Sequence, residues 1–171
     1  MPAELRLPHR EHGTLNDPPL KVMLGQVRFD PILQIDRQDF IAPFQEQLRG
    51  EYPQFGPQQE FSLVVGPEGV LRSEAAKSWR FATADGSWAV ILAQSFVTLE
   101  ADAPQYVGYD DFRSRFEHVW GAALEYIKPN RAVQQGLRYI NHIEEPLQPQ
   151  EWSRFINPIL LGPLGDESFG D

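Results

Sequence analysis

WRFATADGSWAVILAQSFVTLE, residues 79 to 100, is the longest unbroken β reading in the chain, and the fold class follows from it. Asp85-Gly86 stands between two apolar runs and predicts a hairpin with a two-residue type I′ turn. Both central residues of that turn need φ > 0, which Asp and Gly tolerate best. The second arm, Ser87 to Glu100, reads as a single strand. Trp88, Val90, Leu92 and Phe96 share one face of it, and Ala89, Ile91, Ala93, Val97 and Leu99 share the other. A strand that is apolar on both sides belongs in the middle of a sheet, with helices on one face and further cover on the other.

Upstream, Leu20 to Asp30 reads as the first strand, entered through Pro18-Pro19 and left through Asp30-Pro31. Val22 and Leu24 share a face with Gln26 and Arg28, and Met23, Val27 and Phe29 share the other with Gly25. Asp36 is placed to cap a helix through Phe40, Phe44 and Leu48, with Gly50 to end it. Pro43 requires that this helix either kink or begin there. Glu60 to Val65 is a strand closed by Gly66-Pro67-Glu68-Gly69, and Val70 to Arg72 is a short strand or loop leading into the hairpin.

Downstream, Ala101 to Gly108 reads as a loop. Asp110-Asp111 then opens a helix on which Phe112, Phe116, Val119, Trp120, Ala123 and Ile127 recur at helical spacing, and Pro129-Asn130 ends it. Val133 to Glu144 is the last strand. Leu137, Tyr139, Asn141 and Ile143 share the face expected to be buried, while Gly136, Arg138, Ile140 and His142 share the other. A short helix from Glu151 to Ile156 follows. This order predicts an α+β domain, a mainly antiparallel sheet built on a long central hairpin with two principal helices packed on one face. The boundaries expected are a flexible leader over 1–19, one domain over 20–162 and an acidic tail over 163–171.

With 171 residues, 42% of them hydrophobic and 12% aromatic, the chain has the material for one domain with a substantial core. Its net charge is −9 and its fifteen Lys and Arg are scattered, which disfavours a nucleic-acid backbone as partner. The absence of cysteine removes disulfides, thiolate catalysis and Cys-ligated metal. The N-terminus has no apolar signal region. The longest apolar run, Trp88 to Ala93, falls far short of the roughly 20 residues that span a bilayer. The expectation is a soluble, cytoplasmic protein without a membrane partner.

Five motifs in order, PLxVxxxxVRFDPI from Pro19 to Ile32, the Trp79 and Trp88 pair, YDDFRxRF from Tyr109 to Phe116, GLRYIN from Gly136 to Asn141 and WSxFINPxLLG from Trp152 to Gly162, span nearly the whole chain. As a set they resemble a sporadically distributed family of uncharacterised bacterial proteins. The resemblance implies a bacterial protein whose relatives are usually longer, with further β-rich sequence after the last motif. It implies no activity, cofactor or catalytic residue.

The phosphate-cradling, dinucleotide-binding, zinc-protease and nucleophile-elbow motifs are all absent, which lowers the expectation of an enzyme and predicts no cofactor and no metal. His9 and His12 are half a metal site in a polar leader and read as a solvated tail. The one constellation that stands out is Arg28 on the first strand with Arg138, Asn141 and His142 on the last. If those strands are neighbours, Arg28 and Arg138 present guanidinium groups to a small anion, and His142 can exchange a proton near neutral pH. The competing reading is a wet face, or Arg138 paired with Glu100 or Glu144. Tyr139 and Asn141 read as a hydrogen-bonded core pair, and the four Trp as core. The function expected is a non-enzymatic protein-interaction or assembly module with another protein as partner. The alternative is a small-ligand or anion-binding domain, or an enzyme without a standard motif, using Arg28, Arg138 and His142.

Overall fold

The structure, a computed structural model, describes residues 18–66, 69–142 and 157, with backbone alone for 59–66 and 69–76. Its elements are β1 (Leu20–Phe29), α1 (Gln38–Leu48), β2 (Gln54–Gly66), β3 (Gly69–Ala82), β4 (Trp88–Ala93), β5 (Phe96–Asp102), α2 (Tyr109–Ala122) and β6 (Ala132–Asn141). The strands form one sheet in the order β2-β3-β4-β5-β1-β6, and every neighbouring pair is antiparallel. The chain divides into two compact units, Met1–Asn141 and His142–Asp171. Of the second, only His142 and Asn157 are among the described residues.

Alternation of direction across the sheet makes β1 and β2 run the same way, and likewise β5 and β6. A chain that must re-enter a sheet in the same direction has to return along one of its faces, which a helix does with all its backbone groups bonded. α1 makes the first return and α2 the second. Register shows which face they cover. The rows Val27–Val97–Leu92–Trp79, Gly25–Leu99–Val90–Phe81 and Met23–Ala101–Trp88 all lie on it. Phe44 of α1 meets Phe81 edge-on at 5.5 Å, and Phe112 of α2 lies 5.9 Å from Trp88. Gly25 lets α2 approach, because a Cβ there would stand 2.9 Å from Phe112 Cε1. The opposite face carries short chains at its centre: Ser78, Ala82, Ala89, Ala93 and Thr98 are buried there with Ile91, and Gln26 Nε2 donates to Thr98 Oγ1 at 2.9 Å.

The α+β class, the antiparallel sheet and the two helices on one face are as the sequence predicts. Several details differ. Ser87 to Glu100 is two strands joined by a tight turn at Gln94-Ser95, so Phe96 lies opposite Ala93 while Val97 lies opposite Leu92. The turn reverses the parity, and Val97 and Leu99 join Trp88, Val90 and Leu92 on the helix-covered face.

Pro43 lies inside α1, and Arg37 occupies the N-cap in place of Asp36. Asp36 Oδ2 accepts instead from Gln94 Nε2 at 2.6 Å. β2 and β3 extend well past the short runs read from sequence, pairing from Gln54–Ala82 out to Gly66–Gly69. The helix expected over Glu151 to Ile156, Trp152, His9 and His12 lie outside the described residues.

The hairpin loop also departs from a type I′ turn. Gly86 has φ 77, whereas Asp85 is not in the left-handed region, and Gly86 N–H donates to Thr83 O at 2.9 Å. This is a four-residue turn, Thr83 to Gly86, that ends on the left-handed glycine, a usual form of a slightly longer hairpin loop. Asp85 Oδ1 accepts from the hydroxyls of Thr83 at 2.6 Å and Ser87 at 2.8 Å and from Ser87 N–H at 3.2 Å. Those donors, Thr83 first, hold the Asp85 carboxyl down at about 2. A carboxyl lower in the folded chain than the unfolded value of about 3.9 adds stability above that value and loses it as pH falls through the folded one. We therefore expect the unfolding free energy of Asp85→Asn to fall less between about pH 4 and pH 2 than that of the wild type. Parallel acid limbs in the two chemical-denaturation series would refute the assignment.

Candidate functional site

β1 and β6 are neighbours, so the adjacency on which the sequence-derived site depends is met: Arg28 lies opposite Gln134 and Leu24 opposite Arg138. Opposed residues share a sheet face, which puts Arg28 and Arg138 together on the face away from the helices. Four register positions separate them, roughly 14 Å along the strands. A lone carboxylate therefore meets one guanidinium or the other. Both arginines are exposed, and neither has an ion-pair partner among the described residues. Arg138 shares a row with Glu100, with Leu24 standing between them. His142 is exposed and opens the second unit, whereas Arg28 and Arg138 belong to the first.

A third arginine on the same face escaped the sequence reading. Arg80 on β3 is half-buried, lies opposite Gly56 and lines a shallow cavity of about 400 Å³ with Gln54, Gln58 and Ala82. Gln58 Oε1 is buried there without a hydrogen-bond partner. The available signal was parity: between core residues Trp79 and Phe81, Arg80 must lie on the other face of its strand.

The expected core pair of Tyr139 and Asn141 is not found, and both residues are exposed. Tyr139 shares a 2.9 Å hydroxyl–hydroxyl hydrogen bond with Tyr106 and packs edge-on against its ring. Burial first, then that bond, pushes the Tyr106 hydroxyl above the usual tyrosine range. The cause is the position of β6 at the end of the strand order, next to β1 alone among the described residues. Every residue of β6 is exposed, among them Val133 (58%), Leu137 (50%), Tyr139 (45%) and Ile140 (40%). Leu137 and Tyr139 fall on the helix side, where Leu137 adjoins Gly25 and Tyr106 bridges to Phe112.

Tyr52 is the one fully buried tyrosine among the described residues, and its hydroxyl has no hydrogen-bond partner. Burial, with Glu51 adding and Arg115 opposing, pushes it up to about 12. A buried hydroxyl without a hydrogen-bond partner costs desolvation, which the nearby Arg115 guanidinium offsets only in part. Tyr52→Phe is therefore expected to leave stability unchanged or raise it by about 1 kcal/mol, read as the denaturation midpoint, where loss of a bonded hydroxyl would lower it by a similar amount.

Among the described residues, no group of three or more His, Asp or Glu side chains is arranged to hold a metal ion, and no helix is long and apolar enough to cross a membrane. No protein-family model, no curated protein and no solved structure matches the chain.

Proposed function

We propose that the domain is a protein-interaction module that receives an extended segment of another polypeptide along the free edge of β6. The observation that carries this reading is the strand itself, ten residues paired on one side only among the described residues and exposed throughout, with four large apolar side chains. An unpaired edge offers a row of backbone donors and acceptors to an added strand, and flanking apolar side chains supply the specificity. Burying a large apolar side chain contributes about 1.5–3 kcal/mol, and these four have about half of that still to gain. A cytoplasmic setting fits a chain without cysteine.

The test is retention of a partner by the immobilised domain and by Val133→Lys/Ile140→Lys, which places lysines at exposed edge positions. A partner held by the wild type and lost by the variant, with unchanged thermal stability, supports the reading. Equal retention refutes it.

A second reading, anion binding on the face opposite the helices, is favoured by three arginines there, Arg28, Arg80 and Arg138, none with an ion-pair partner among the described residues. Phosphate at 100 times its dissociation constant would add about 2.7 kcal/mol to stability. A thermal shift that Arg80→Ala or Arg138→Ala abolishes supports this reading, and a flat titration removes it.

A further inference from the structure

Granting that the face opposite the helices binds anions, we infer that the binding point is the notch between Arg80 and Gly56, and that the ligand is a small hydroxycarboxylate. Gly56 points there first. A glycine inside a strand costs conformational entropy, and it marks a bulge or the close approach of a ligand or another backbone. The β2–β3 register runs unbroken from Gln54 to Val64, so Gly56 marks no bulge. Its backbone does not call for glycine, since its φ is not positive, and no neighbour crowds it, since a Cβ there would meet nothing within 4 Å. What the missing side chain leaves is open ground directly opposite Arg80. A ligand that comes down onto the strand at that point accounts for the residue.

Arg80 sets the charge of that ligand. It is half-buried and has no carboxylate partner among the described residues. Withdrawing a guanidinium from water without a counter-ion is costly, and an anion in the notch offsets the cost through two parallel N–H···O bonds. Gln58 sets a second condition. It is the diagonal neighbour of Arg80 on the same face, at a Cβ separation of roughly 7–8 Å that long side chains bridge. Its Oε1 is buried and receives no donor. The opposite wall is held in place, because Gln54 Nε2 donates to the Ala84 carbonyl at 2.8 Å. An occupant that satisfies Arg80 and Gln58 together carries an anionic pair of oxygens beside a hydrogen-bond donor. Arg80 is the one charged side chain among the described residues that line the cavity, and Arg28 lies three strand spacings away, roughly 14 Å. One guanidinium matches a carboxylate and leaves half the charge of a phosphate dianion unmet. An ammonium as the donor would set a second cation beside Arg80, so the donor is a hydroxyl. Pro57, next to the notch, has no N–H and blunts this edge against an added strand, which leaves a cavity of about 400 Å³ to a small molecule.

Glycolate is the probe, set against acetate, which lacks the hydroxyl, and inorganic phosphate, each titrated at constant ionic strength into the isotope-labelled protein and followed by amide chemical shifts. Glycolate should shift the Gly56 and Gln58 amides to saturation and bind about tenfold tighter than acetate, the difference that one hydrogen bond makes. Gly56→Val fills the notch at a position where its Cβ meets nothing and suits a strand, so it should keep or raise Tm while abolishing glycolate binding. Arg80→Gln should abolish binding as well. Equal affinity for acetate and glycolate, or tighter binding of phosphate at these residues, overturns the inference. Binding that survives Gly56→Val and is lost in Arg138→Ala also overturns it, and leaves anion binding elsewhere on the face standing. If none of the three anions shifts an amide on this face, the anion reading fails with it.

Discussion

Phe112→Ala is expected to lower the unfolding free energy by about 3–5 kcal/mol. Phe112 is 1% exposed and joins three parts of the molecule: Trp88 on β4 at 5.9 Å, Phe116 one turn along α2 at 6.2 Å and Tyr106 before the helix at 6.2 Å. Its ring also fills the space that Gly25 leaves on β1. Truncation therefore opens a cavity between helix and sheet that neither backbone can close. The same contact predicts a coupling. Gly25→Ala alone should be destabilising by about 1–3 kcal/mol, since its methyl meets an aromatic carbon at sub-contact distance. In the Phe112→Ala background the methyl has room, and the second substitution should be neutral or stabilising. A double-mutant cycle that came out additive would show that α2 does not lean on Gly25.

Trp79→Ala should be comparable in size, again about 3–5 kcal/mol, but it separates into two parts. Trp79 stacks on Phe55 at 5.4 Å, with Lys77 Nζ 4.3 Å from the ring centroid, and these contacts vanish with the ring. Its indole Nε1–H also donates to the Ile35 carbonyl at 2.6 Å in a buried position, tying the turn before α1 to the sheet. Trp79→Phe keeps most of the stacking and removes only the donor. It should cost about 1–3 kcal/mol by leaving that carbonyl unpaired. Equal losses in the two variants would mean that the hydrogen bond, and not the packing, anchors α1.

The helix from Asp110 was legible because Phe112, Phe116 and Val119 repeat at a period that only a helix satisfies, and all three are buried in it. The first strand was legible because its apolar residues alternate between two bracketing prolines. The turn at Gln94-Ser95 was not, since a lone serine is a weak turn signal inside an apolar run and glutamine is none, and a one-turn error exchanges the faces of everything after it. The reach of β3 was hidden for a different reason. Ser73-Glu74-Ala75-Ala76-Lys77 has poor intrinsic strand preference, and pairing with β2 overrides it. At the candidate site, the facing of Arg28 and Arg138 followed from parity within each strand, while their adjacency depended on strand order. Strand order is set by packing between segments far apart in the chain. Tyr139 and Asn141 were misread because alternation reports which residues share a face and is silent on whether the strand is central or at an edge.

The place of β1 between β5 and β6 bears on how the chain is made. β2 to β5 are successive neighbours and can zip together as each emerges, but the first strand finds its nearer partner at β5 and its other partner, β6, more than a hundred positions after it. At ribosomal rates of about 5–20 residues per second, β1 spends on the order of ten seconds outside the tunnel before β5 arrives. Throughout that time Met23, Val27 and Phe29, all destined for the core, stand on a strand with both edges open. Nucleation by the β2–β5 meander and late capture of the N-terminal strand is the order that loop-closure entropy favours. Destabilising substitutions in β1 should accordingly speed the unfolding of the finished domain more than they slow its folding.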